Sequence, residues 1–304
     1  MYLVGILAQG QKWPDVLRGM AEASGSSVSG WINPLSSPGE AIDKLIDQSD
    51  LIWIPEKING GMDEAINVIR RSRHLSLGFP VSDFTDQAES LVKLAQEARV
   101  QVQVGHSERH RLVFRSSLAH ISHPQHIRLT HHLPEFRSEE NPQRIFHEIL
   151  ADLDLVLGLT GSQAKKVRTH AAFLGSGKLF QIDTRIEFHN GSVISLAVRQ
   201  GIGQAVREIE ILQETGLVFI DLARGCSSIK KPGSEGWTVH QLWPVVESPG
   251  PVTTLDYHND EETARQCINF IHALQMGKRP LSDLEEGYAA LEITRQIESS
   301  VGRF

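Results

Sequence analysis

Residues 51–78 read LIWIPEKINGGMDEAINVIRRSRHLSLG. Leu51–Pro55 is an apolar run of strand length, Gly61–Arg73 is an amphipathic helical stretch, and His74–Gly78 is apolar again. A strand, a helix and a second strand in so short a span describe a right-handed βαβ unit, because two parallel strands need a crossover between them. The same alternation extends to both sides. Leu3–Ala8 and Val28–Ile32 precede the unit as candidate strands, and Val100–Gly105 follows it. Pro14–Ala23, Gly39–Ile46 and Thr85–Arg99 are the helical stretches between them, and in the last Ala88, Leu91, Val92, Leu94 and Ala95 recur at the three-and-four spacing of one helix face. A repeat of about 20 to 25 residues predicts a doubly wound, Rossmann-like parallel sheet.

Beyond residue 118 the pattern changes. A helical stretch near Arg109–Leu118 leads to His126–His132 and then to a long helix over Pro142–Leu159. Four β-rich runs follow closely: Leu179–Phe188, Ser192–Arg199, Arg207–Gln213 and Leu217–Leu222. Asn190-Gly191 between the first two is a hairpin turn signal, since both residues tolerate positive φ. Short connections make antiparallel neighbours, so an open, mostly antiparallel sheet with helices on one face is expected. Cys226–Pro251, rich in Gly, Pro and Ser, reads as a loop, and Glu261–Met276 and Asp283–Ser299 as closing helices. The expected division is a Rossmann-like domain over 1–118 and an α+β substrate and dimerisation domain over 119–304.

Bulk properties narrow the function. A chain of 304 residues, 40% hydrophobic and 22% charged, buries a real core, and its net charge of -7 argues against a nucleic-acid partner. Arg70-Arg71-Ser72-Arg73 and Lys165-Lys166 read as solvated helix ends. Two cysteines, Cys226 and Cys267, form no CxxC pair, which suits a reducing cytoplasm. The apolar start lacks a basic leader and is too short to span a membrane, so it reads as a buried first strand. Eight of the fourteen histidines fall between His106 and His147. His120, His123, His126, His131 and His132 lack a zincin spacing, and His131 and His132 face opposite sides of a strand, so no metal site is expected.

Several segments carry a resemblance. Val102-Gln103-Val104-Gly105-His106-Ser107-Glu108-Arg109 looks like a "VGHxER" strand and turn. Ala151-Asp152-Leu153-Asp154-Leu155-Val156-Leu157 followed by Leu159-Thr160-Gly161 looks like "HDLDLVLxLxG". Ile186-Glu187-Phe188-His189-Asn190-Gly191-Ser192-Val193 is similar to "xxFxNGxV", and Gly277-Lys278-Arg279-Pro280 with Glu285–Glu292 to "GxxPxxxxxxGxxALExA". In this order they resemble the Gfo/Idh/MocA oxidoreductase family across nearly the whole chain.

That resemblance implies an NAD or NADP site and a sugar-like substrate, and it places them on particular residues. The family's GxGxxG turn falls on Ala8-Gln9-Gly10-Gln11-Lys12-Trp13, where only Gly10 keeps the pattern. A turn of this kind meets pyrophosphate through backbone N–H groups. Trp13, where the family has a glycine, implies a large indole that pushes helix and strand apart or fills the pyrophosphate space, and the turn reads either as a plain loop or as a dinucleotide turn in which Lys12 offsets phosphate charge. The ribose-binding acid falls on Asn33, which equally suits a turn before Pro34. Pro55 ends the third strand, and the family's "EKP" turn falls on Gly78-Phe79-Pro80, where Phe79 carries neither proton nor charge.

On the long helix the family's Asp and His fall on His147 and Ala151, which share a face at i, i+4. Alanine moves no proton, so His147 or His106 is the candidate acid/base. Asp152 and Asp154 are read as helix anchors, and Glu108, Arg109 and Ala151 as ligand contacts. Two functions remain open at this point. One is an NAD(P)-dependent sugar or nucleotide-sugar dehydrogenase with relocated catalytic residues. The other is a degenerate, non-catalytic relative that binds a ligand or an active partner, forming a homodimer or higher oligomer through the antiparallel sheet.

Overall fold

A computed structural model describes the chain except for residues 11, 14, 16–18, 20–23, 59, 106, 135–143, 176, 202, 234, 235, 245–259, 303 and 304. The chain divides into two compact units, Met1–His110 with Asp256–Leu291, and Arg111–Leu255 with Glu292–Phe304. The sequence reading puts the boundary at 118/119 and both closing helices in the second domain. Residues 256–291 instead return to the first unit, because the helix over Asp260–Gln275 brings Cys267, Phe270 and Ile271 into its apolar core.

The first unit holds five parallel strands, β1 (Leu3–Leu7), β2 (Ser27–Ile32), β3 (Leu51–Ile54), β4 (His74–Leu77) and β5 (Val102–Gln103), in the order β2-β1-β3-β4-β5. Helices Gly39–Asp47, Gly61–Arg70 and Ala88–Ala98 connect them as expected. All four residues of β3 are buried, as a central strand covered on both faces requires. The helix expected over Pro14–Ala23 lies largely outside the described residues.

The carboxyl ends of β3, β4 and β5 approach so closely that side chains do not fit. A Cβ on Gly78 would lie 2.1 Å from the Pro55 carbonyl oxygen, and one on Gly105 would lie 2.4 Å from the Gly78 carbonyl carbon. The unit's edge is closed by its returning segment: Val104 N donates to Ser282 O at 3.0 Å.

The second unit carries eight strands in the order β13-β12-β11-β10-β6-β9-β8-β7. They are β6 (His126–Leu133), β7 (Ala164–Phe173), β8 (Leu179–Phe188), β9 (Val193–Gln200), β10 (Val206–Gln213), β11 (Gly216–Asp221), β12 (Cys226–Gly233) and β13 (Gly236–Pro244). Among the described residues only the β6–β9 pair of this sheet is parallel. Gly191 at φ 88 makes the β8–β9 turn. One face is apolar: Ile127, Leu129, Ile186, Ile194, Leu196, Ile209 and Ile211 are buried. Ile149, Leu153 and Val156 of the helix Arg144–Thr160 are buried with them. The cross-strand partners on the other face are polar, among them Arg128, Arg168, Arg185, Glu208 and Glu210.

Two expectations fail here. Cys226–Pro251 is no loop along its first part, because β12 and β13 form a hairpin. Its Gly and Pro content hides a short alternation in which Ser227 and Ile229 are buried between half-buried Cys226 and Ser228. Lys165-Lys166 is not a helix end but lies in β7, an edge strand, where exposed lysines discourage pairing with another sheet.

Candidate functional site

The carboxyl ends of a parallel sheet are where an open α/β fold binds ligands, and here they gather the residues that follow β1 to β4. Ala8 is fully buried; its N–H donates to Ile32 O at 3.1 Å and its carbonyl accepts the Trp31 indole N–H at 3.1 Å. The next two N–H groups, of Gln9 and Gly10, both donate to Oε1 of Glu56 at 3.0 Å. Glu56 follows Pro55 at the end of β3, so the carboxylate reaches the turn from a neighbouring strand. Two adjacent N–H groups converging on one oxygen form an anion-holding turn, and the bonds are charge-assisted.

Trp13 does not stand in the crevice as a loose plug. It is 3% exposed and packs with Val4, Ile6, Ala8, Leu51, Trp53, Cys267, Phe270 and Ile271. Its ring meets Trp53 edge-on, with centroids 5.4 Å apart. Lys12 Nζ sits 4.7 Å from the Trp13 ring centroid. Neither buried indole N–H, of Trp13 or Trp53, finds an acceptor among the described residues.

Asn33 braces the following turn: its Oδ1 accepts the Leu35 N–H at 3.0 Å. Pro55 and Pro80 are buried. Phe79 is 5% exposed and meets Phe84 edge-on at 6.0 Å, and its carbonyl accepts the Gly105 N–H at 3.0 Å. At the third and fourth strand ends the turn geometry is kept by packing and backbone bonds.

Arg109 was expected to meet a ligand. It is 4% exposed, donates to Leu281 O at 2.6 Å and pairs with Glu286, so it fastens the returning segment to the first unit. His110 does the same: its Nε2 lies 2.9 Å from Ser282 Oγ, and its Nδ1 lies 3.2 Å from Asn269 Nδ2. Glu108 is buried beside them. His106 lies outside the described residues.

On the long helix of the second unit His147 is exposed and Ala151 is buried. Asp152 is the anchor that its motif position implies. His131 Nδ1 lies 2.8 Å from its Oδ2, and Arg207 Nε donates to its Oδ1 at 2.9 Å. Burial alone would raise this carboxyl; the charges and hydrogen bonds of His131 and Arg207 outweigh it and hold it below the ordinary range. His131 is buried and half-buried His132 is on the opposite face, as strand geometry requires. No group of three His, Cys, Asp or Glu that could hold a metal occurs among the described residues.

The two N–H groups of the first turn that a diphosphate in the extended dinucleotide pose would meet hold Glu56 instead. The sequence reading missed Glu56. Its signal, an acid directly after the proline that ends a central strand, was present but had no partner until the fold supplied one.

No family model matches the chain. It is 21% identical over 265 residues, 87% of this chain and 82% of the relative, to the UDP-N-acetylglucosamine 3-dehydrogenase of Acidithiobacillus ferrooxidans. The solved structure of that enzyme superposes with a TM-score of 0.70 at 17% identity, covering 98% of this chain and 97% of the other. An NAD binding oxidoreductase from Klebsiella pneumoniae gives 0.67 at 14% identity over 99% and 97%. A putative myo-inositol dehydrogenase from Sinorhizobium meliloti gives 0.64 at 17% over 100% and 98%. At such identities the likeness is one of fold: the chain has the architecture of its structural neighbours, the Gfo/Idh/MocA-type dehydrogenases.

Proposed function

We propose that the chain is a degenerate, non-catalytic member of this oxidoreductase fold that serves as a ligand-binding or partner subunit. The observation that carries the reading is the Glu56 carboxylate on the Gln9 and Gly10 N–H groups. A dinucleotide's diphosphate bound there would meet a like charge and two donors already engaged. The inert Phe79 and Ala151 at the positions of the family's lysine and histidine, and the Asn33 amide held in a turn, support the same conclusion.

A second reading rests on the likeness to the UDP-N-acetylglucosamine 3-dehydrogenase: an active NAD(P)-dependent sugar or nucleotide-sugar dehydrogenase with relocated residues. In that reading His106, or His147, which is exposed, serves as acid/base, and general acid–base catalysis contributes about 10²- to 10⁴-fold. Titration with NADH and NADPH, followed by nicotinamide fluorescence, separates the two. No saturable signal is expected, and micromolar saturable binding with turnover of a nucleotide sugar would sink the non-catalytic reading.

The ligand class we assign is a small sugar-like molecule, and the partner a second copy of the chain docked on the polar face of the sheet. That face mixes charges along its length, with Arg168 and Arg185 against Glu187 and Arg128 against Glu210, so a copy related by a twofold axis can meet each group with its opposite. We place the chain in the cytoplasm. Cys226 and Cys267 are unpaired, burial pushes both thiols up, and among the described residues no helix is long and apolar enough to cross a membrane.

A further inference from the structure

The contact that argues against a dinucleotide is also a device in its own right. Glu56 lies 47 and 46 residues from Gln9 and Gly10, so the pairing is a tertiary contact and not a local turn. The turn it closes retains the physics of an anion site: two N–H groups aimed at one oxygen, with Lys12 held nearby above the Trp13 ring. A second observation points the same way. Trp13 Nε1 is a buried donor with no acceptor among the described residues. It lies 3.3 Å from where a Cβ of Gly10 would stand, and Glu56 Oε1 lies 3.7 Å from that same point. Around Gly10, therefore, two donors are engaged by an internal carboxylate and a third is left over.

We propose that Glu56 is an autoinhibitory carboxylate, an internal stand-in that occupies the anion-binding turn and competes with a phosphoanion for the Gln9 and Gly10 N–H groups. This rests on the reading that the chain as folded does not hold a dinucleotide, and it names what withholds the site. The bulky Trp13 is not the obstacle, because its ring is core. A plug seated in all but about one molecule in a hundred weakens an anion's apparent affinity about a hundredfold. Removing the carboxylate restores that factor.

The test uses the full-length wild type, Glu56→Ala and Glu56→Gln, titrated calorimetrically with ADP and with inorganic pyrophosphate at low ionic strength. Glu56→Ala is expected to bind ADP about tenfold to a hundredfold more tightly than wild type. Glu56→Gln, whose amide oxygen accepts the same bonds without the charge, is expected to fall between them. Circular dichroism checks that each variant is folded, and Glu56→Gln decides alone if Glu56→Ala is not. A merely structural cap predicts lower melting temperatures with no gain in anion affinity. That result, or a wild type that binds as tightly as its variants, overturns the proposal. The two readings fail separately: turnover of NADH by wild type removes the non-catalytic assignment, whereas equal affinities across the three proteins remove the plug.

Discussion

His131 Nδ1 lies 2.8 Å from Asp152 Oδ2 in the interior of the second unit, joining β6 to the long helix. Arg207 of β10 completes the group, its Nη2 2.8 Å from the other carboxylate oxygen. The carboxylate is fully buried and both partners nearly so. Removing one member of such a group strands charge in the interior, which costs about 3–5 kcal/mol. Arg207→Met is therefore expected to lower stability by about that much in urea unfolding, and a loss below about 1 kcal/mol would show that the group adds little.

Trp13→Gly reports on packing rather than on an opened crevice. The indole fills a core that includes Trp53 and Phe270, and truncating a buried tryptophan costs about 3–5 kcal/mol. The expected outcome is a clear drop in melting temperature with no gain in nucleotide affinity. Dinucleotide binding restored by this substitution alone would contradict the assignment of Trp13 to the core.

Gly78 is needed for its lack of a side chain. A Cβ would lie 2.1 Å from the Pro55 carbonyl oxygen and 2.7 Å from Thr263 Cγ2. Gly78→Ala must push β3 and β4 apart at their carboxyl ends, at about 1–3 kcal/mol or more. Chemical denaturation measures it, and a neutral substitution would mean that the strand ends stand further apart than described.

His74 gives the first unit a pH dependence. Burial lowers its imidazole below the ordinary value near 6.5, and its Nδ1 accepts the Gln101 N–H at 3.1 Å, a bond that protonation of that nitrogen removes. The unfolded chain then binds the proton more readily than the folded one. The resulting stabilisation is complete above about pH 6.5 and is lost as pH falls through the lower folded value. Melting temperatures at pH 7.5 and 5.5 should diverge more in wild type than in His74→Gln. An equal divergence would assign the effect elsewhere.

Assembly is read by sizing in solution. Wild type is expected as a dimer, and the double substitution Arg168→Glu with Arg185→Glu, which sets two further acids beside Glu187 on the polar sheet face, as a monomer. A monomeric wild type would end the case for pairing through this sheet.

Sequence alone was enough for the strand–helix alternation of residues 27–103, the turn at Asn190-Gly191, the opposite facing of His131 and His132 and the switch to antiparallel strands after the long helix. Each depends on alternation or turn chemistry within about ten neighbouring residues, which a single strand or helix already expresses. Only the tertiary structure decided that Glu56 caps Gln9 and Gly10, that Arg109 and His110 fasten the returning segment, and that Cys226–Gly233 is a strand. These depend on partners far away in the chain or on a ladder formed with other strands. A carboxylate after Pro55 looks the same in sequence whether it faces water or two backbone N–H groups. What it does is set by which strand end folding brings to within 3.0 Å of it.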